Sequence, residues 1–115
     1  MCSCLFLAEK YAKEISKKYK CTTVLKGHNT VVCSNDLEIY INKTGNSSLA
    51  KSGSGDVLTG IIAGLLAQGM TCFEASKLGV YIHGLCGEYA SKNLTEYSVT
   101  ANDLINIIPE VIKNL

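Results

Sequence analysis

Gly53-Ser54-Gly55-Asp56 sets two glycines, a serine and one carboxylate directly before an apolar run, Val57 to Ala67. The chemistry that suits this spacing is anion binding. The first four N–H groups of a helix have no internal partner, and the helix dipole adds about half a positive charge there. Glycine lets a ligand reach the backbone without meeting a side chain, and phosphate is the common guest. The stretch is neither G-x-x-x-x-G-K-[ST] nor G-x-G-x-x-G. On the residues alone, two readings of Asp56 stand open. It caps a helix, a place Asp favours. Alternatively, it is a general base. A carboxylate beside an anion site is repulsive unless it removes a proton from a hydroxyl that attacks a phosphoryl group.

The elements that must hold this stretch are legible from their periodicity. Leu5, Ala8, Tyr11 or Ala12, Ile15 and Tyr19 recur at helical spacing, with Glu9, Lys10, Lys13, Glu14, Lys17 and Lys18 opposite. CTTVLKG, TVVCS and LEIYIN then read as three strands joined by hairpin turns at 27–29 and 35–36. Residues 44–55 lack a period and read as a functional or mobile loop. A helix over 56–68 is apolar on nearly every face and is expected to be buried. Gly60 and Gly64 inside it imply another element packed closely there. Thr71 and Glu74 form a capping box that starts a helix at 72, running to about 92. Thr100 and Asp103 start a last helix, which Pro109 is expected to kink or break.

The chain has 115 residues, 47% of them apolar and 18% charged, so it is one domain's worth and able to build a core. A net charge of +1 favours neither nucleic acid nor membrane. Six cysteines show no CxxC pair and no zinc spacing, and they read as free thiols in a reducing compartment. The opening MCSCLFLAEK has no basic segment of a secretory signal, and Val57 to Ala67 is too short to span a bilayer, so the expected location is cytoplasmic.

AKSGSGDVLTGIIAGLLAQG resembles the G-[TS]-G-D signature of the ribokinase-like superfamily. TTVLKGHNTVV, YINKTGN and GVYIHGLCGEYAS are similar, in one register, to segments of its ADP/ATP-dependent NAD(P)H-hydrate dehydratases. The signature is shared with sugar, thiazole and pyrimidine kinases. The combination with V-L-K-G and V-Y-x-H-G is what favours the dehydratase.

The resemblance implies an α/β chain forming the C-terminal portion of a three-layer fold, with short strands followed by three helices. Residues 1–115 would be one partial domain. The implied activity repairs damaged cofactor: hydrated NADH or NADPH is phosphorylated by ADP or ATP, with magnesium, and then loses phosphate. Asp56 would be the base and touch the hydrate. Gly53, Ser54 and Gly55 would form an anion hole. Lys26, Gly27, His28, Asn29, Thr30 and Gly55 would bind the nucleotide. No protein-held metal is implied. Ser47-Ser48-Leu49 stands where the family carries a glycine- and proline-containing stretch. The family's long N-terminal part has no counterpart here, so a homo-oligomer or association with that half is expected. The alternatives are a sugar or vitamin-precursor kinase, or an inactive nucleotide-binding fragment.

Read without the resemblance, Lys26 is a solvated strand end, 27–29 an ordinary turn and His83 a packing residue. Asn42, Thr44 and Asn46 bond locally within the loop, and Tyr40, Tyr81 and Tyr89 belong to the core or its rim.

Overall fold

The computed structural model describes residues 2–115, with side chains from Cys4 onward. Helix α1 (Cys2–Tyr19) leads into strands β1 (Thr23–Leu25), β2 (Val31–Cys33) and β3 (Ile39–Ile41). Helices α2 (Ser54–Ala67), α3 (Cys72–Ser98) and α4 (Ala101–Lys113) follow. The strands form an antiparallel meander, with Val31 opposite both Leu25 and Ile41. Strand side chains alternate between faces, and here both faces are covered. Val31 and Cys33 pack on Ala12 of α1, together with Leu5, Ala8, Ile39 and Ile41. Val32 packs the other way, on Leu58 of α2 and Val80 of α3, with Val24 and Tyr40 beside it. The result is three layers with β2 at the centre. Burial on both faces explains why β2 is apolar without alternation.

The two hairpin turns fall where their residues predict. Asn29 takes φ +59°, the left-handed conformation that asparagine tolerates. In the second turn the Ser34 hydroxyl accepts from the Glu38 N–H at 2.9 Å.

Three expectations need correction. Helix α2 starts at Ser54, two residues early, because Gly53 adopts φ +85° and turns the chain directly into the helix. It is also far from buried. Only Ser54, Val57 and Leu58 are enclosed, while Gly60, Ala63, Gly64 and Leu66 face outward. Finally, α4 runs through Pro109 without a break. The carbonyl that proline leaves without a partner belongs to Ile105, which is 49% exposed, so it is not stranded in the core. Leu104 and Val111 hold the opposite face in the core.

Helix α3 extends past the expected end near 92 to Ser98, interrupted at Thr95, where φ is +65°. Both capping boxes form as read.

A Cβ added at Gly60 or Gly64 meets nothing within 4 Å, so the close neighbour that the sequence implied is not found among the described residues. Gly60→Ala and Gly64→Ala are therefore expected to stabilise the chain by about 0.5–1 kcal/mol each, through helix propensity and a less flexible unfolded state. Thermal melts of the two variants read this directly.

The described cysteines are unpaired: Cys4 and Cys72 are exposed, Cys21 is half-buried, and Cys33 and Cys86 are buried. Cys2 lies outside the residues whose side chains are described. Burial pushes the Cys86 thiol up to about 11. An aromatic disulfide reagent near pH 8 should label Cys4 and Cys72 quickly and Cys86 only after denaturant is added. Mass mapping of the labelled peptides checks this. No helix among the described residues is long and apolar enough to cross a membrane.

Candidate active site

The first turn of α2 is held open by its own backbone. Ser54 donates its N–H to the Lys51 carbonyl at 3.2 Å, and Val57 closes the first helical bond onto Gly53 at 3.1 Å. The N–H groups of Gly55 and Asp56 lie between these two bonds with no backbone partner. No side chain caps this helix. Of the three residues expected to form an anion hole, Ser54 thus has its amide engaged, and its hydroxyl meets His83 Nε2 at 3.0 Å in a buried contact.

This turn is the wall between two hollows. On one side is a polar cleft of about 880 Å³, lined by Lys26, Gly27, His28, Asn29 and Thr30 together with Ser54, Gly55 and His83. On the other is an apolar groove of about 570 Å³ between α2 and α4, lined by Gly60, Ile61, Leu65, Ile105 and Ile108, with Gly53 and Asp56 at its end. Both volumes fall within the range of small-molecule sites. The residues assigned to a nucleotide therefore share one cleft, and the carboxylate assigned to the substrate opens into the other hollow.

Lys26 approaches Gly55 so closely that a Cβ there would lie 2.5 Å from its Nζ. A cation thus sits next to the two free amides. The turn that carries Lys26 is braced by Thr30, whose hydroxyl donates to the Gly27 carbonyl at 3.0 Å.

The sequence did not reveal how the remaining cleft wall is fixed. Asn42 is buried and donates to the Val80 carbonyl at 3.1 Å, and the Thr44 hydroxyl donates to the Tyr81 carbonyl at 3.0 Å. The Gly45 N–H donates to Glu88 at 2.7 Å, and Asn46 to Ser91 at 2.9 Å. Asn46 also caps the short 3-10 turn Ser47–Leu49, which stands where the family's glycine- and proline-containing stretch was expected. The loop is clamped along α3. The signal for this in the sequence is Gly84 and Gly87 inside one helix, which meet Thr44, Ser48 and Leu49, whereas Gly79 meets Ile62 of α2. Each is unfavourable in a helix by about 1 kcal/mol against alanine, so a close approach must compensate.

Burial holds the His83 ring below its ordinary pKa, and the Lys26 charge adds to this, although a hydrogen bond with the Ser54 backbone opposes it. Tyr40 is pushed up by burial and by Tyr81. Its hydroxyl donates to Asn42 Oδ1 at 3.2 Å, at the rim of the cleft.

Comparison with known proteins decides among the enzymes that share this signature. The family pattern described as NAD(P)H-hydrate dehydratase matches residues 5–110. The chain belongs to the NAD(P)H-hydrate dehydratase family. Within it, the chain is 44% identical over 111 residues to a bifunctional NAD(P)H-hydrate repair enzyme of Moorella thermoacetica, covering 96% of this chain and 20% of that protein. It is 51% identical over 76 residues to an ADP-dependent (S)-NAD(P)H-hydrate dehydratase of Neisseria meningitidis, covering 66% of this chain and 26% of that one.

The structure superposes with a TM-score of 0.88 on the ADP/ATP-dependent dehydratase of Bacillus subtilis co-crystallised with ATP and magnesium. That match is 38% identical and covers 92% of this chain and 38% of the other. A ribokinase-like superfamily protein of Enterococcus faecalis matches with a TM-score of 0.74 and 34% identity, covering 89% of this chain and 35% of that one. The fold is the three-strand and helical portion of these ribokinase-like dehydratase structures. The chain spans about a fifth to two fifths of the length of these relatives.

Among the described residues, no three His, Cys, Asp or Glu side chains converge to hold a metal ion.

Proposed function

We propose that this chain carries the nucleotide-and-base part of an ADP- or ATP-dependent dehydratase that restores hydrated NADH or NADPH. The single observation that supports this is the first turn of α2 standing between a polar cleft that Gly55 lines and an apolar groove that Asp56 lines, with the Gly55 and Asp56 amides free of backbone partners. Nucleotide phosphates enter the cleft beside Lys26 and the N–H groups of Gly55 and Asp56. These donors stabilise charge on the moving phosphoryl group. The dihydropyridine ring of the hydrate faces the apolar side. Asp56 removes the proton of the added hydroxyl as that oxygen attacks the terminal phosphorus, whose bond to the bridging oxygen breaks and releases the nucleotide with one phosphate fewer. The phosphate ester then leaves as inorganic phosphate, and the ring double bond returns as a ring proton is lost. The unpaired thiols suit a reducing, cytoplasmic setting.

The open α2 surface and the short span relative to the relatives also favour association, with the rest of the larger fold or with a second copy. Ile105 and Ile112 of α4 are about half exposed along the same groove, at 49% and 52%. A native mass separates a monomer from an assembly.

The deciding experiment incubates the purified chain with hydrated NADH, magnesium and either ADP or ATP, and follows recovery of dihydronicotinamide absorbance. Recovery that requires nucleotide supports the reading. A folded chain that binds no adenine nucleotide overturns it. Binding without recovery limits the chain to the nucleotide half of a site completed by another segment.

A further inference from the structure

We propose that His83 is a positioning residue for the phosphate-facing turn, acting through its bond to Ser54; this rests on the dehydratase reading above. The two residues lie 29 positions apart, on α3 and at the first position of α2, and their 3.0 Å contact is buried. Ser54 is 3% exposed and His83 6%, so water does not substitute for either partner. The Ser54 amide is already bonded to Lys51. With the hydroxyl also fixed, the residue is pinned at two points, and the adjacent Gly55 and Asp56 amides take their direction from it. An anion site gains most when its donors are already aimed.

The other ring nitrogen, Nδ1, has no protein partner among the described residues. No fully enclosed side-chain polar atom goes unpaired there, so Nδ1 opens onto the cleft that His83 lines. The ring is therefore placed between the turn and the cleft contents, which bare packing does not require. The charged or titratable side chains lining the same cleft are Lys26, His28 and Lys51, and Lys26 is the one that acts on the ring. A second positive charge on His83 is disfavoured there. The bond to Ser54 is thus the neutral imidazole's at physiological pH.

The test compares the 115-residue chain with His83→Ala, His83→Gln and Ser54→Ala. The glutamine amide reaches about as far as Nε2 and can renew the bond. Affinity for ADP with magnesium is measured by calorimetry. The Gly55 and Asp56 amide signals are followed by ¹⁵N NMR between pH 5 and 8.

Losing the buried bond should weaken ADP binding by about tenfold in His83→Ala and Ser54→Ala, with His83→Gln much closer to the parent. In the parent, the two amides should shift with a single midpoint below 6.5, the ordinary histidine value, and lose that response in Ser54→Ala. Folded alanine variants that bind ADP as the parent does overturn the proposal, as does glutamine failing alongside alanine. If His83→Ala does not fold, Ser54→Ala decides by the same readings. If the parent chain binds no ADP, the functional reading fails. The amide titration then still judges the positioning: a response lost in Ser54→Ala supports it, and amides indifferent to His83 overturn it.

Discussion

Asp56→Asn is expected to lower nucleotide-dependent recovery of dihydronicotinamide by about 10²–10⁴-fold, the contribution a positioned general base ordinarily makes. The same substitution should leave the melting temperature and ADP affinity nearly unchanged. The reason lies in what the carboxylate does not do. Gly53, with no side chain, stands at the N-cap, and no hydrogen bond ties the exposed Asp56 side chain to the helix start. The capping reading of Asp56 therefore has no bond behind it. What remains is the attraction between the carboxylate and the helix dipole, typically about 0.3–1 kcal/mol at a surface. Asparagine keeps the shape and loses the base. It also removes a negative charge next to the phosphate donors, so nucleotide binding should hold or tighten. The comparison is run on the chain, or on the assembly that turns over, with calorimetry and melts in parallel. Turnover retained in the variant would sink the base assignment. A fall in stability and binding together would return Asp56 to a structural role.

What the sequence made legible was local. The helical spacing of Leu5, Ala8, Tyr11 or Ala12, Ile15 and Tyr19 and the runs around Val24, Val32 and Tyr40 depend on neighbours a few residues away, and those elements formed in the expected order, although Ala12 is buried while Tyr11, Ile15 and Tyr19 are exposed. Asn29 likewise needed only its own tolerance of positive φ. The burial of α2 was not legible, because it depends on what covers Gly60 and Gly64 rather than on the composition of the helix. Pro109 misled for a related reason: the carbonyl it frees belongs to half-exposed Ile105 and is not stranded in the core, so the loss is small. In the site, Lys26 to Thr30 and Gly55 line one cleft. The partners that fix that cleft stand 29 to 45 positions away along the chain, as in Ser54 with His83, Gly45 with Glu88 and Asn46 with Ser91. No periodicity reports a contact of that kind. The loop over 44–55 looked unstructured because its order comes from α3.

That clamp leads to the largest expected effect on stability, at Gly84. A Cβ built there would lie 2.6 Å from the carbonyl carbon of Thr44 and collide with its hydroxyl oxygen. Backbone cannot swing aside as a flexible side chain can, so Gly84→Ala must lift the loop off α3. The move breaks the bonds from Thr44 to the Tyr81 carbonyl and from Asn42 to the Val80 carbonyl, and it pulls Gly45 from Glu88. Asn42 is 5% exposed, so its NH₂ group would lose its Val80 acceptor in the interior, while its Oδ1 keeps the bond from Tyr40. Overpacking ordinarily costs about 1–3 kcal/mol, and each stranded buried polar group adds about 1–3 kcal/mol. The sum is a large share of the roughly 5–15 kcal/mol that stabilises a domain. Helix propensity acts the other way but is worth only about 1 kcal/mol. Gly84→Ala should therefore unfold the chain or lower its denaturant midpoint sharply, whereas the same change at Gly60 should raise it. The opposite signs of two identical substitutions isolate the close approach as the cause. An unaltered midpoint in Gly84→Ala would mean that the loop does not rest on α3, and that the polar cleft is walled by something else.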